Sequence, residues 1–324
     1  MDLHRVKEFS STALLYLAIL LCSLSHCRCI EFTGPGTDRA LEAIFKGRCA
    51  DYLTGRLNPH VDINELKLIN CTTMWELFIS AFAYRDPCDV TMDRYEPLIQ
   101  EAKVTIPMDM ALYWDAFDVY DVVRSYVDEA KRATSLEFML IGYIMNGLVF
   151  CGQTEEPGLK YDACPAADEC GFATGSIDAM WAAASNYFGS NGRGNVRIIF
   201  NSNRPGGAFQ VENSFFSQFE LVNMNASLVK HADIYIVTFL GEETSETCAS
   251  ESVQTLQTTL TDRGIPNQCT DQPAALLHLM CASDPTAVEC SSGQVPNGAI
   301  SQHDSSYVML VSLIGQLACI LYFH

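Results

Sequence analysis

The stretch Phe215-Phe216-Ser217-Gln218-Phe219-Glu220-Leu221 sets one carboxylate behind a run of aromatic rings. A lone carboxylate among rings suits a reaction that makes a sugar cation. It can stabilise positive charge at C1′ while the rings hold a flat base and keep water out. The same string is also what a half-buried strand edge looks like, so the chemistry depends on what else the chain supplies.

A second acid, Glu137, lies in Thr134-Ser135-Leu136-Glu137. That string is also a capping box, whose Glu closes a helix N-terminus. Glu137 shares a helical face with Ile141 and Ile144 and so borders a buried surface; the two roles are compatible. Trp114 and Trp181 are core tryptophans by default, and Ser185 follows Trp181 by four residues on the same helical face. Phe215 and Glu220, five apart, would point to opposite faces of a regular strand. If both face one pocket the chain must turn, so we expect a loop through 216–218 and a strand beginning near Glu220.

Other chemistries lack their residues. There is no G-x-S-x-G, G-x-x-x-x-G-K-[ST], C-x-x-C or H-E-x-x-H, and Gly192-Arg193-Gly194 lacks the third glycine of a dinucleotide fingerprint. The seven histidines have no ligand spacing, so neither a metal nor a resident cofactor is expected. A formal net charge of -19 repels nucleic acid and anionic lipid.

The elements that must position these groups fall into two styles. From Asp38 to about Phe150 the pattern is helical: Leu41, Ile44 and Phe45 share a face, as do Trp75, Phe78 and Phe82. A further helix should begin at Thr134, with Leu136, Leu140, Ile144 and Leu148 at intervals of four. From Ser176 the grammar becomes α/β. A helix runs to Phe188 and stops at Gly189; strands follow over 195–201 and 233–239, then a helix over 250–263 ended by Gly264. The expected fold is therefore α+β or α/β. A mainly helical part (30–111 with 131–175) packs on a smaller part with a short, covered parallel sheet (112–130 with 176–293), and the active-site cleft lies between them.

The two ends point to export. Arg5 and Lys7, the apolar Ala13 to Leu24 and the small residues near Ser23-Leu24-Ser25 read as a signal peptide over residues 1–27. A signal anchor is the rival, but the run is short for a bilayer. Residues 294–324 read as a lipid-attachment (GPI) signal. A polar spacer, Ser301 to Ser306, precedes an apolar tail, Tyr307 to Phe323, with Asn297-Gly298-Ala299 or Ser291-Ser292-Gly293 as the attachment site. Ten cysteines remain between these ends, an even number that implies disulfides in an exported chain. Asn70 and Asn225 head glycosylation sequons.

Ordered segments then carry a resemblance. They are Trp75-x-x-Phe78-x-x-Ala81-Phe82 through Pro87-Cys88 to Thr91 and Tyr95; Leu112-Tyr113-Trp114; and Ser135-Leu136-Glu137 with Gly142-Tyr143, Asn146 and Phe150-Cys151-Gly152. Trp181 with Ser185, the segment ending in Glu220, and the cysteines from Cys248 to Cys290 complete the series. Together they resemble the ADP-ribosyl cyclase family, which includes NAD glycohydrolases and cyclic ADP-ribose hydrolases. The resemblance implies that Glu220 is the catalytic carboxylate, and that Glu137 contacts nicotinamide and biases the outcome. It implies that Trp114 and Trp181 line the pocket, that Ser185 contacts phosphate, and that Asn146 and Phe215 belong to the substrate site, Phe215 as the cyclase-type aromatic. It pairs Cys49 with Cys71, Cys88 with Cys170, Cys151 with Cys164, Cys248 with Cys269, and Cys281 with Cys290. Three features depart from the family pattern: Phe138 where the signature more often has Asp, Phe150 in place of Trp, and Asp115-Ala116 where some members carry an Arg after the first pocket Trp.

The expected protein is a surface or lumenal enzyme that cleaves NAD or NADP as substrate and forms cyclic ADP-ribose. Some hydrolysis, base exchange with nicotinic acid, a lipid anchor and a homodimer accompany that expectation. The rivals are a plain NAD glycohydrolase, a catalytically silent receptor on the same scaffold, and a retaining O-glycosidase using Glu137 and Glu220, whose carboxyls would lie ~5–5.5 Å apart.

Overall fold

The sheet has four parallel strands, the central two built on apolar, β-branched runs. These are β1 (Leu112–Trp114), β2 (Gly194–Asn201), β3 (Val229–Val237) and β4 (Asn267–Asp271), hydrogen-bonded in that order. The computed structural model describes residues 40–291 apart from 59, 162, 163 and 213. The expected signal peptide and the spacer and tail of the lipid-attachment signal lie outside the described residues. Side chains alternate across the sheet. Tyr113, Ile198 and Ile236 enter the larger core, and Leu112, Ile199 and Val237 enter a smaller one on the opposite face. Covering both faces is what an all-parallel sheet requires, and the expected mixed fold is present.

The larger core also takes in helices α1 (Leu41–Tyr52), α2 (Cys71–Phe82), α3 (Leu140–Met145), α4 (Ser176–Asn191) and α5 (Glu251–Asp262). Helix α6 (Ala274–Ser283) and the helical segment of residues 120–129 cover the other face. The Asn70 side chain caps α2 by accepting from the N–H groups of Thr72 (2.9 Å) and Thr73 (3.2 Å). Phe150 packs edge-on against Phe78 with centroids 4.7 Å apart and tilts against Phe82 at 4.8 Å, so a phenyl ring fills the place where Trp was the usual residue. All five disulfides pair as expected: 49–71, 88–170, 151–164, 248–269 and 281–290. Asn70 and Asn225 are exposed.

Three local expectations fail, each for a physical reason. No helix begins at Thr134, whose N–H donates to the Met110 carbonyl at 2.7 Å and whose carbonyl accepts from Leu112 at 2.9 Å. Held beside β1 in this way, the chain makes only a 3-10 turn over Leu136–Phe138 before Met139 extends and α3 starts. The interval of four still reports burial, since Leu136, Leu140, Ile144 and Leu148 are all inside. Helix α4 runs through Gly189 to Asn191, because that glycine marks a close approach to a neighbouring segment and not a stop.

The third failure concerns Glu220, which begins no strand. Phe216–Glu220 forms one wide π-helical turn, followed by a 3-10 turn over Leu221–Asn223. The Ser214 hydroxyl accepts from the N–H of Ser217 at 3.0 Å at the start of the turn. Phe216 plugs into the core, edge-on to Phe200 at 5.4 Å and against Tyr113 at 6.1 Å. This one ring pins the turn, so Phe216→Ala should cost about 3–5 kcal/mol of stability, within the range for buried Phe truncations. Denaturant unfolding of the disulfide-intact protein checks it; a loss below about 1 kcal/mol would mean the turn is held elsewhere.

Candidate active site

A parallel bridge links Ala111 to Thr134. Beyond that bridge β1 continues to Trp114 while the other segment turns through Leu136–Phe138, and Trp114 and Glu137 meet there. The indole Nε1 of Trp114 donates to Glu137 Oε2 at 3.1 Å, and the Ser135 hydroxyl donates to the same oxygen at 2.6 Å. Glu137 therefore does not close a helix: the 3-10 turn has no side-chain cap, and the carboxylate is engaged by Trp114 and Ser135. Burial raises the Glu137 pKa, and the Ser135, Trp114 and backbone donors partly offset that rise.

Glu220 is only 6% exposed. Its pKa is pushed well above the ordinary carboxylate range, first by desolvation and then by the negative charge of Glu137, with a smaller contribution from Asp115; a hydrogen bond with Ser185 opposes the rise. The π turn resolves the facing problem of Phe215. Hydrogen bonds that skip five residues place positions five apart about one turn apart on the same side, and the Leu221 N–H reaches back to the Phe216 carbonyl in this way. Phe215 itself packs against Phe172 (5.2 Å) and Phe219 (5.6 Å), making a small aromatic lip.

Helix α4 supplies one face at intervals of four: Trp181, half-buried, then Ser185, near enough to lower the Glu220 pKa, then Gly189 against the Glu220 backbone. The structure thus brings together Glu220, Glu137, Trp114 and Ser185, with Trp181 on the same helix face and Phe215 on the same turn. Asn146 stands further back. It ends α3 and donates to the Tyr120 hydroxyl at 3.2 Å, and the Tyr120 ring tilts against Trp114 at 5.5 Å. Asn146 reaches the site through the side of Trp114.

The sequence reading missed Ser135 as a ligand of Glu137, and Tyr120, Phe172, Arg204 and Gly189 as parts of the site. Arg204 has no sequence neighbour to announce it. Its guanidinium pairs with the Asp115 carboxylate, both side chains 11% exposed, and it ties the loop after β2 to the end of β1. A cation therefore stands beside Trp114-Asp115 although no Arg follows Trp114 in the chain. Trp114 ends β1, and Asp115 and Arg204 lie beyond the carboxyl ends of their strands, where open α/β sheets build their sites.

Residues 38–290 match the family model described as ADP-ribosyl cyclase. The chain belongs to the ADP-ribosyl cyclase family. It is 29% identical over 274 residues to the ADP-ribosyl cyclase/cyclic ADP-ribose hydrolase of Aplysia californica, covering 85% of this chain and 93% of that protein. It is 29% identical over 261 residues to the human ADP-ribosyl cyclase/cyclic ADP-ribose hydrolase 2, covering 81% and 78%. The crystal structure of Aplysia cyclase complexed with substrate NGD and product cGDPR matches with a TM-score of 0.71 at 29% identity, over 78% of this chain and 97% of that one.

The raised Glu220 pKa has a stability consequence. A carboxyl that holds its proton more tightly when folded gives the native state more bound protons than the unfolded chain, so stability falls as pH rises above the unfolded value. Glu220→Gln removes that penalty. The variant should melt higher than the parent at neutral pH, with the advantage fading as pH drops to about 4. Melting curves across that range check the sign; a parent that is the more stable at neutral pH would contradict it.

Proposed function

We propose that this chain is an NAD-consuming ectoenzyme that releases nicotinamide and forms cyclic ADP-ribose, with hydrolysis to ADP-ribose as a second outlet. The observation that carries this reading is one buried carboxylate, Glu220, held by Ser185 and neighboured by Glu137 in an aromatic setting. An ordinary glycosidase needs a second carboxyl to protonate its leaving group. NAD does not, because its nicotinamide is a pyridinium cation that departs neutral with the electrons of the C1′–N bond.

The same fact accounts for the electrostatics. Two adjacent carboxyls in a dry site disfavour double ionisation; a pyridinium ring entering beside them removes the penalty and lowers both pKa values. As the bond breaks, positive charge moves from the ring to the ribose, where Glu220 stabilises it. Glu137 and Trp114, joined by their hydrogen bond, form the wall against which the leaving base rests. Capture by water gives ADP-ribose and a proton. Capture by an adenine nitrogen of the same molecule, folded against Phe215, gives the cyclic product and a proton. Nicotinic acid attacking instead exchanges the base.

NAD or NADP is the substrate in this reading, and no resident cofactor takes part. Five disulfides support folding in the secretory pathway. Among the described residues no helix is long and apolar enough to cross a membrane, and attachment at the surface through a C-terminal lipid, with or without pairing to a second copy, belongs to the proposal.

Incubating the purified protein with NAD and separating the products tests the reading directly. Glu220→Gln should keep substrate binding and lose at least about 10³-fold in nicotinamide release, the upper part of the range for removing one electrostatic stabiliser; turnover within tenfold of the parent would remove Glu220 from the chemistry. Phe215→Gly should shift products from cyclic toward linear ADP-ribose. An unchanged ratio on chromatography would take Phe215 out of the mechanism. The acid limb of kcat/KM should sit above the ordinary carboxylate range, and that of kcat lower, because bound pyridinium pulls the Glu220 pKa down.

A further inference from the structure

Both pocket carboxylates stand on a helix glycine. A Cβ on Gly189 would lie 2.4 Å from the Glu220 carbonyl oxygen and 2.6 Å from its Cα. A Cβ on Gly142, in α3, would lie 2.0 Å from the Leu136 carbonyl oxygen and 2.8 Å from the Glu137 Cα. Ordinary contact begins at 3.4 Å, so each helix lies roughly 1 Å closer to its acid-bearing turn than any other residue would allow. The obstructing atoms are backbone, which cannot swing aside. A glycine inside a helix lowers helix stability relative to alanine, so both positions carry a local cost. Gly47 in α1 makes the contrast: it is exposed, and nothing lies within 4 Å of where its Cβ would be.

The consequence for Glu220 is geometric. Helix α4 presents Ser185 one turn before Gly189, and from there the Ser185 hydroxyl is near enough to lower the Glu220 pKa. A side chain at 189 would push the 220 backbone off the helix and pull the carboxyl from that hydroxyl. At Gly142 the displaced turn carries Ser135, Leu136 and Glu137 together, so the bond from Glu137 to Trp114 across the bridge to β1 would give way.

We propose that Gly142 and Gly189 are positioning residues whose missing side chains set the gap between Glu137 and Glu220, and with it the choice between cyclisation and hydrolysis. The inference rests on the assignment of Glu220 to catalysis given above. A displacement near 1 Å at a reacting group is worth about 10²-fold in rate. A looser gap also admits water, which competes with adenine for the cation.

Kinetics of the full chain with NAD, and with a fluorescent-product guanine analogue, test this. Gly189→Ala should lower kcat about 10²-fold, leave KM little changed and raise the share of linear product. Gly47→Ala should melt higher and leave kinetics and product ratio unaltered. A double-mutant cycle separates positioning from lost stability: if Gly189 acts by keeping Glu220 on Ser185, then Ser185→Ala costs about tenfold less in the Gly189→Ala background than in the parent. The same cycle between Gly142→Ala and Ser135→Ala tests the other carboxylate independently, should either alanine variant fold poorly. Additive effects in both cycles, or parental kcat and product ratio in both alanine variants, would overturn the proposal. An active Glu220→Gln would defeat the functional reading instead, and an inactive Glu220→Gln beside an unperturbed Gly189→Ala would defeat this inference alone.

Discussion

Burying two carboxyl groups next to each other is the constraint from which the rest of the site follows. Each acid loses water, and the negative charge of Glu137 makes Glu220 harder still to ionise. The fold meets that cost with neutral donors and not with lysine or arginine: Trp114 and Ser135 on Glu137, Ser185 on Glu220. A cationic side chain in the same place would cancel the negative field of the two acids. Arg204, the nearby cation, is instead committed to Asp115, so its charge is largely answered before it reaches the pocket.

Three separate structural devices deliver the donors. A strand end carries Trp114, a bridge to that strand carries Glu137, and a helix face carries Trp181, Ser185 and the gap at Gly189. The wide turn at Phe216–Glu220 is the fourth part, pinned by Phe216 and ending on the acid. None of these is a flexible loop tip. The aromatic contacts of Phe216 and the backbone contacts of the two glycines mean that the carboxylates inherit the rigidity of the core, which is what preorganised electrostatic stabilisation requires.

Much of this was legible in the residues. The two central strands, the apolar face of α2 through Trp75, Phe78 and Phe82, and the helix through Trp181 and Ser185 follow from local pattern. The family resemblance implied the disulfide pairs, and the structure agrees. What stayed hidden was whatever depends on an unseen neighbour. Thr134 has every mark of a helix N-cap until β1 claims its backbone groups. Gly189 has every mark of a stop until Glu220 is seen resting on it. Arg204 reaches Asp115 across 89 positions, a pairing that no periodicity encodes. A run such as F-F-S-Q-F-E-L gives no hint of a π turn, because that geometry arises from the plug beneath it and not from propensity.

The cap at Asn70 affects how the expected glycosylation at its sequon should be tested. Its oxygen is engaged with the first turn of α2, whereas an N-linked sugar is joined through the nitrogen of the same amide, so helix start and glycan can coexist on one side chain. Replacing Asn70 by Gln would erase both at once, and a drop in secretion or melting temperature would be ascribed to the missing sugar when the lost cap alone is worth about 1 kcal/mol. Thr72→Ala abolishes the sequon and keeps the cap, because Thr72 contributes only its backbone N–H to the bond. The threonine is the clean place to intervene.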